Sequence, residues 1–175
     1  MIKKEMMLKP IGIVHSELKL STHQPDKDID SGEKILQIRD HHQQVKKAVS
    51  EIEIDPAYEE LLEGVEDFSH ILILYWPHLI PDDERKIRMV HPMGRKDLPK
   101  KGIFATRSPV RPNPVLVSSV KLLERNKNCL KVQGLEAIDQ SPVIDIKPVV
   151  RERYSIENLK FPDWLLQAHR ELEFD

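Results

Sequence analysis

Arg107, Arg111 and Asn113 are the side chains of this sequence best placed to do chemistry. They stand in the run Gly102-Ile103-Phe104-Ala105-Thr106-Arg107-Ser108-Pro109-Val110-Arg111-Pro112-Asn113-Pro114. The prolines fix φ and remove backbone donors. Each also pushes its predecessor (Ser108, Arg111 or Asn113) into an extended conformation. Two fork-shaped cations and an amide are therefore held on a stiff frame. Such a frame suits recognition of a carboxylate, a phosphate or a base edge.

The approach to this loop is basic. Between Arg85 and Arg111 lie nine Lys and Arg residues and one acid, Asp97, although the whole chain carries a net charge of −2. Acids gather elsewhere, as from Glu51 to Asp67. The basic run reads equally as a phosphate footprint and as a solvated charged loop.

Several other chemistries find no support. The six glycines form no G-x-G, which excludes the usual dinucleotide fingerprint and, more weakly, the common methyltransferase fold. P-loop, HExxH and GxSxG strings are absent. The eight histidines show neither HxH nor H-x3-H spacing, and the single cysteine, Cys129, has no second cysteine to join it. No metal site and no internal disulfide are expected. Cys129 reads as a small buried strand residue. His78 differs from the other histidines, because it closes an apolar strand at Trp76-Pro77-His78, where a rim residue can reach a ligand.

Short apolar or alternating runs with turn signals between them must position these groups. They are Leu8–His15, Glu33–Arg39, Ser50–Ile54, His70–Trp76, Ile87–His91, Gly102–Thr106, Val115–Leu123, Cys129–Gln133 and Val143–Val150. Many short strands at this spacing predict a mainly β fold, a barrel or sandwich. In Ile144-Asp145-Ile146-Lys147 the apolar residues face the core, and Asp145 and Lys147 point away. Two helices are expected. One is capped by Asp55, starts at Pro56 and stops at Gly64. The other runs from Pro162 to Leu172, with Trp164, Leu165, Ala168 and Leu172 on one stripe. Ser21 to Gly32 reads as a polar loop. A chain of 175 residues fits one domain, here a barrel over 1–155 with a helical tail over 156–175. No apolar run reaches the length of a membrane span, and the N-terminus lacks a secretory apolar region, so a soluble cytoplasmic protein is expected.

The Ala105-Thr106-Arg107-Ser108-Pro109 and Arg111-Pro112-Asn113-Pro114 strings also carry a resemblance. Together with Lys9-Pro10-Ile11-Gly12, Gly64-Val65-Glu66-Asp67-Phe68-Ser69-His70 and Asp139–Pro148, they resemble the TrmO family, also called TsaA-like or YaeB-like. Those are S-adenosylmethionine-dependent tRNA methyltransferases built on a β-barrel. The resemblance implies a single β-barrel with a few short helices that binds S-adenosylmethionine as a homodimer. It implies methylation of N6 of threonylcarbamoyladenosine at position 37 of tRNA, just 3′ of the anticodon.

In the resemblance the cofactor pocket is lined by four segments: His23 and Gln24; His78; Arg107 with Val117 and Ser118; and Asp139, Gln140, Ser141 and Pro142. Arg107 is suited to pair with the methionine carboxylate at two points. Arg111, Asn113 and Lys147 are assigned to the substrate. Asp139 and Asp145, or else His78, are the candidate bases, and nothing in the sequence selects one. Asp139 and Ser141 read equally well as a turn before a strand. Four positions depart from the family pattern. His23 replaces an arginine, Gln140 a glycine, and Val115-Leu116 an Ile-Gly. A methyltransferase of this fold acting on a small molecule, or an RNA-binding barrel without catalysis, are the alternative readings.

Overall fold

Alternation along the chain builds the barrel. In Val49–Ile54 every second residue, Ser50, Ile52 and Ile54, is buried. In His70–Tyr75 the buried positions are Ile71, Ile73 and Tyr75. Such strands present one apolar face each and must close on themselves to hide it. The computed structural model describes residues 6–18, 31–151 and 157–173. Its strands are β1 (Gly12–His15), β2 (Val49–Ile54), β3 (His70–Tyr75), β4 (Met89–Val90), β5 (Lys101–Gly102), β6 (Leu116–Asn126), β7 (Cys129–Gln133) and β8 (Pro142–Pro148). Six of them form a closed antiparallel barrel in the order β1-β2-β7-β6-β3-β8, and β4 pairs with β5 outside it.

The barrel is filled by Val14, Ile52, Ile54, Ile71, Ile73, Val120, Leu130, Val132 and Val143. Leu62 joins this core from a 3₁₀ turn (Pro56–Leu62) that follows β2. Leu135 and Ala137 join it from the segment after β7. Gly12 is required by close approach. A Cβ there would collide with the carbonyl oxygen of Glu53 on β2. In β8 the register slips opposite Leu74 and Tyr75, so Tyr75 faces Val143 and Leu74 faces Asp145. This bulge absorbs Ile144 and places Val143 and Ile146 both toward the core.

Two helices lie outside the barrel among the described residues: α1 (Ser31–Lys47) and α2 (Asp163–Leu172). α2 takes the place expected for the tail helix, with Ala168 and Leu172 buried. It docks on α1, where Arg39 donates to the Glu171 carbonyl at 2.9 Å and pairs with Glu173 at 3.1 Å. Arg95 is buried against the same end of α2, between Asp97 and Glu171.

Four expectations need correction. Glu33–Arg39 is part of α1 rather than a strand. Ile35, Ile38, His42 and Val45 follow helical spacing, which a window ending at Arg39 cuts short. Ile87–His91 shrinks to the two residues of β4. Gly102–Thr106 is strand only at its start and then forms a 3₁₀ turn over Ile103–Ala105. The helix after Asp55 is 3₁₀, although Asp55 caps it as expected by accepting from the Ala57 N–H at 2.9 Å. The polar loop over Ser21–Gly32 lies outside the described residues up to residue 30, and Ser31 and Gly32 already belong to α1. Among the described residues no helix is long and apolar enough to cross a membrane.

Candidate active site at one end of the barrel

Antiparallel pairing gathers six strand ends at one rim: the ends of β1, β3 and β7 and the starts of β2, β6 and β8. The segments that attach there are those singled out from the sequence. Arg107 lies in the loop before β6. Its Nη2 donates to the Val117 carbonyl at 2.6 Å. That contact uses one of the five guanidinium N–H donors. The others meet no partner among the described residues. Arg107, Val117 and Ser118 line a cleft of about 430 Å³ with Glu136 and with His42, Val45 and Lys46 of α1.

Tyr75 stands beside this cleft and went unnoticed in the sequence. Its hydroxyl lies 3.4 Å from Ser118 Oγ. Burial pushes its pKa up to about 12, and Glu136 acts in the same direction, while the Ser118 hydrogen bond and Arg107 pull it down. A phenol held neutral in this way can donate a hydrogen bond but cannot serve as a base near neutral pH.

The turn before β8 forms a second group at the rim. Asp139 accepts from the Ser16 N–H at 3.2 Å, and the Gln140 N–H donates to the Val14 carbonyl at 2.7 Å. Ser141 is 1% exposed, and its Oγ has no partner among the described residues. Its carbonyl accepts from the Val14 N–H, and the Pro142 carbonyl accepts from Trp76. The strand end carrying His78 is thereby tied to the turn. His78 Nδ1 is likewise buried without a partner. Gln140 adopts φ +63°, a left-handed conformation that suits glycine better than glutamine.

Other expected site residues sit elsewhere. Arg111 turns Nε and Nη2 of its guanidinium inward, donating to the carbonyls of Ser108 at 3.0 Å and Thr106 at 2.7 Å. The Asn113 carbonyl accepts from Val115, and its exposed side chain does not line the cleft. Asp145 and Lys147 pair with each other at 2.5 Å. They stand opposite Leu74 and Leu72 of β3, which face Val117 and Ser119 of β6 on the other side. That puts them on the same barrel wall as the cleft, two strand spacings or about 10 Å away. His23 and Gln24 lie outside the described residues. Among the described residues no three His, Cys, Asp or Glu side chains gather as a metal site requires.

Comparison with known proteins places this arrangement. Residues 37–153 match the model of the tRNA-methyltransferase O N-terminal domain. The chain belongs to that family. A Methanothermobacter thermautotrophicus relative, named a probable S-adenosyl-L-methionine-binding protein, is 40% identical over 157 residues, covering 90% of this chain and 97% of its own. A mouse tRNA (adenine(37)-N6)-methyltransferase is 37% identical over 101 residues, which is 58% of this chain but 23% of the mouse enzyme. A crystal structure of TrmO superposes with a TM-score of 0.64 at 25% identity, covering 90% of this chain. The chain spans 63% of that TrmO chain and nearly the full archaeal relative.

The residues of this TrmO-family barrel suit a cofactor with a carboxylate and a purine. Arg107 offers unspent donors to the first. The buried Ser141 hydroxyl and His78 ring nitrogen offer polar atoms to the second. A cleft of about 430 Å³ falls within the range of small-molecule sites.

Proposed function

We propose that this chain is a methyltransferase that binds S-adenosylmethionine at this rim. In this reading it modifies N6 of threonylcarbamoyladenosine at position 37 of tRNA and works as a homodimer. The observation that carries the reading is the set of unspent Arg107 donors at the rim end of a cleft that runs along β6 to His70 and Lys121, with the unpartnered polar atoms of Ser141 and His78 buried at the same rim outside that cleft's lining. The name of the archaeal relative supports the cofactor, and that of the mouse enzyme supports N6 of adenine 37 in tRNA as the position modified.

When bound, S-adenosylmethionine supplies a methyl group on a positively charged sulfur. Arg107 would hold the cofactor's carboxylate, since its guanidinium fork suits such a group. Ser141 and the backbone of the 139–142 turn would face the adenine edge, and the Tyr75 hydroxyl braces Ser118 on one side of the cleft. Asp139 is exposed at the rim, so its carboxylate is the group best placed to take the proton that N6 gives up. Asp145 is the weaker candidate, because Lys147 already occupies it. Positioning supplies much of the rate, since an unstacked loop base must be held in one orientation.

The test is transfer of labelled methyl to purified tRNA, comparing tRNA that carries threonylcarbamoyladenosine with tRNA that lacks it. Label in the first alone is expected. Label in extracted metabolites but never in tRNA would replace this reading with a small-molecule methyltransferase. RNA binding with no transfer anywhere would leave a non-catalytic barrel.

A further inference from the structure

The loop that carries Arg107 presents a second surface. Phe104 is 82% exposed, the largest exposure of any aromatic residue among the exposed apolar side chains. It borders a groove of about 450 Å³ between Arg85–Arg88 and Gly102–Ala105, with Pro112 at one side. Ile87, Ile103 and Ala105 give the groove an apolar lining, and no acid lines it.

Lys86 and Arg88 also line the groove, and Lys101 of β5 and Lys100 just before it adjoin its Gly102 edge in sequence. None of these four makes an ion pair among the described residues. Their neighbours in sequence behave differently. Arg85 pairs with Asp82 at 2.9 Å and lies 5.1 Å over the Trp76 ring, and Arg95 is buried between two carboxylates. The acids just upstream, Asp83 and Glu84, are exposed and do not reach the groove.

A bare aromatic ring on a groove that shares unpaired cations has a specific chemical complement. An unstacked base can lie on the ring while its flanking phosphates meet the cations. An apolar protein segment would leave those cations unanswered. A second copy of this chain would bring the same cations against each other.

We propose that Phe104 is a stacking platform for an unpaired base of the acceptor RNA, with Lys86, Arg88, Lys100 and Lys101 on its backbone. The proposal rests on the tRNA reading above. It places the neighbour of the reacting nucleotide. Phe104 and Arg107 are three positions apart, so their Cα atoms lie within about 11 Å. Groove and cleft therefore straddle one loop. Arg111 ties that loop together through the Ser108, Thr106 and Ile103 carbonyls, which fixes the two surfaces relative to each other.

The test measures binding of a fluorescent anticodon stem-loop by anisotropy at several salt concentrations. S-adenosylmethionine titration and sedimentation are run on the same samples. Phe104→Ala is expected to weaken stem-loop binding about 5- to 150-fold, the range for losing one stacked base. Phe104→Trp should retain binding, and cofactor affinity should not change in either variant. Lys86→Ala and Arg88→Ala should each lower the salt slope by about 0.7. Unchanged stem-loop affinity in Phe104→Ala, with the wild type binding normally, overturns the platform and leaves the tRNA reading standing. Failure of the wild type to bind the stem-loop at any salt overturns the tRNA reading itself. A fall from dimer to monomer in Phe104→Ala would make the patch a subunit interface and overturn the platform.

Discussion

Replacing Arg95 by methionine should cost more stability than any other single change to a charged residue here. Its side chain is 1% exposed. Nε donates to Asp97 Oδ1 at 3.2 Å and Nη2 to Asp97 Oδ2 at 2.5 Å, while Nη2 also meets Glu171 of α2. Methionine refills most of the alkyl volume but leaves two carboxylates facing a site without a cation. Removing one partner of a buried ion pair costs about 3–5 kcal/mol. Asp97 and Glu171 retain 34% and 32% side-chain exposure, so water can reach both, and the lower end applies. The expected loss is about 3 kcal/mol, a large share of the roughly 5–15 kcal/mol that holds a domain folded. With a urea slope of about 2 kcal/mol/M, the midpoint should fall by about 1.5 M. Adding Glu171→Gln to Arg95→Met should restore part of the loss, because it removes one stranded charge. A loss below about 1 kcal/mol, or no recovery in the double variant, would refute the claim that this cluster fastens α2 to the rest of the protein.

Three further outcomes follow from local geometry. Gly12→Ala should destabilise by about 1–3 kcal/mol in a urea melt, because the new methyl meets the Glu53 backbone rather than a flexible side chain. Gln140→Gly should stabilise by about 0.5–1 kcal/mol, the relief of a left-handed glutamine less the entropy that glycine loses on folding; a destabilised variant would show that the glutamine side chain does more than tolerate its φ. Acid should loosen α2. The Arg95 guanidinium holds Asp97 below the ordinary carboxylate range, and Gln167 followed by Arg95 does the same for Glu171. A lowered folded pKa gives stability that is complete above the unfolded value and lost as pH falls through the folded one. Trp164 fluorescence and amide exchange in α2 should therefore be constant above about pH 5 and change below about pH 4; a transition centred near neutrality would contradict the assignment.

The barrel was legible because its strands carry their own signal. Alternation in β2, β3 and β7 survives in the burial pattern almost residue by residue. The rim turn was legible for a similar reason, since Asp139-Gln140-Ser141-Pro142 names its own turn chemistry. α1 was missed because its apolar stripe is thin and interrupted by Arg39, His41 and His42, so a short window around Ile35–Ile38 shows no clear period. Arg111 looked like a second ligand-binding fork, yet a proline-rich loop has few N–H groups of its own to satisfy its carbonyls, and Arg111 supplies them. Tyr75 and Arg95 owe their roles to contacts with Ser118 and Glu171, far away in sequence, and no local pattern announces such partners.

The central claim is a cofactor site built around Arg107, and calorimetric titration with S-adenosylmethionine tests it most directly. The wild type should bind with one site per chain. Arg107→Ala should keep its circular dichroism spectrum and bind about 10- to 150-fold more weakly, the range for losing charge-assisted hydrogen bonds to a carboxylate. Wild-type affinity in Arg107→Ala, or no binding by the wild type across pH 6 to about 9, would contradict the account.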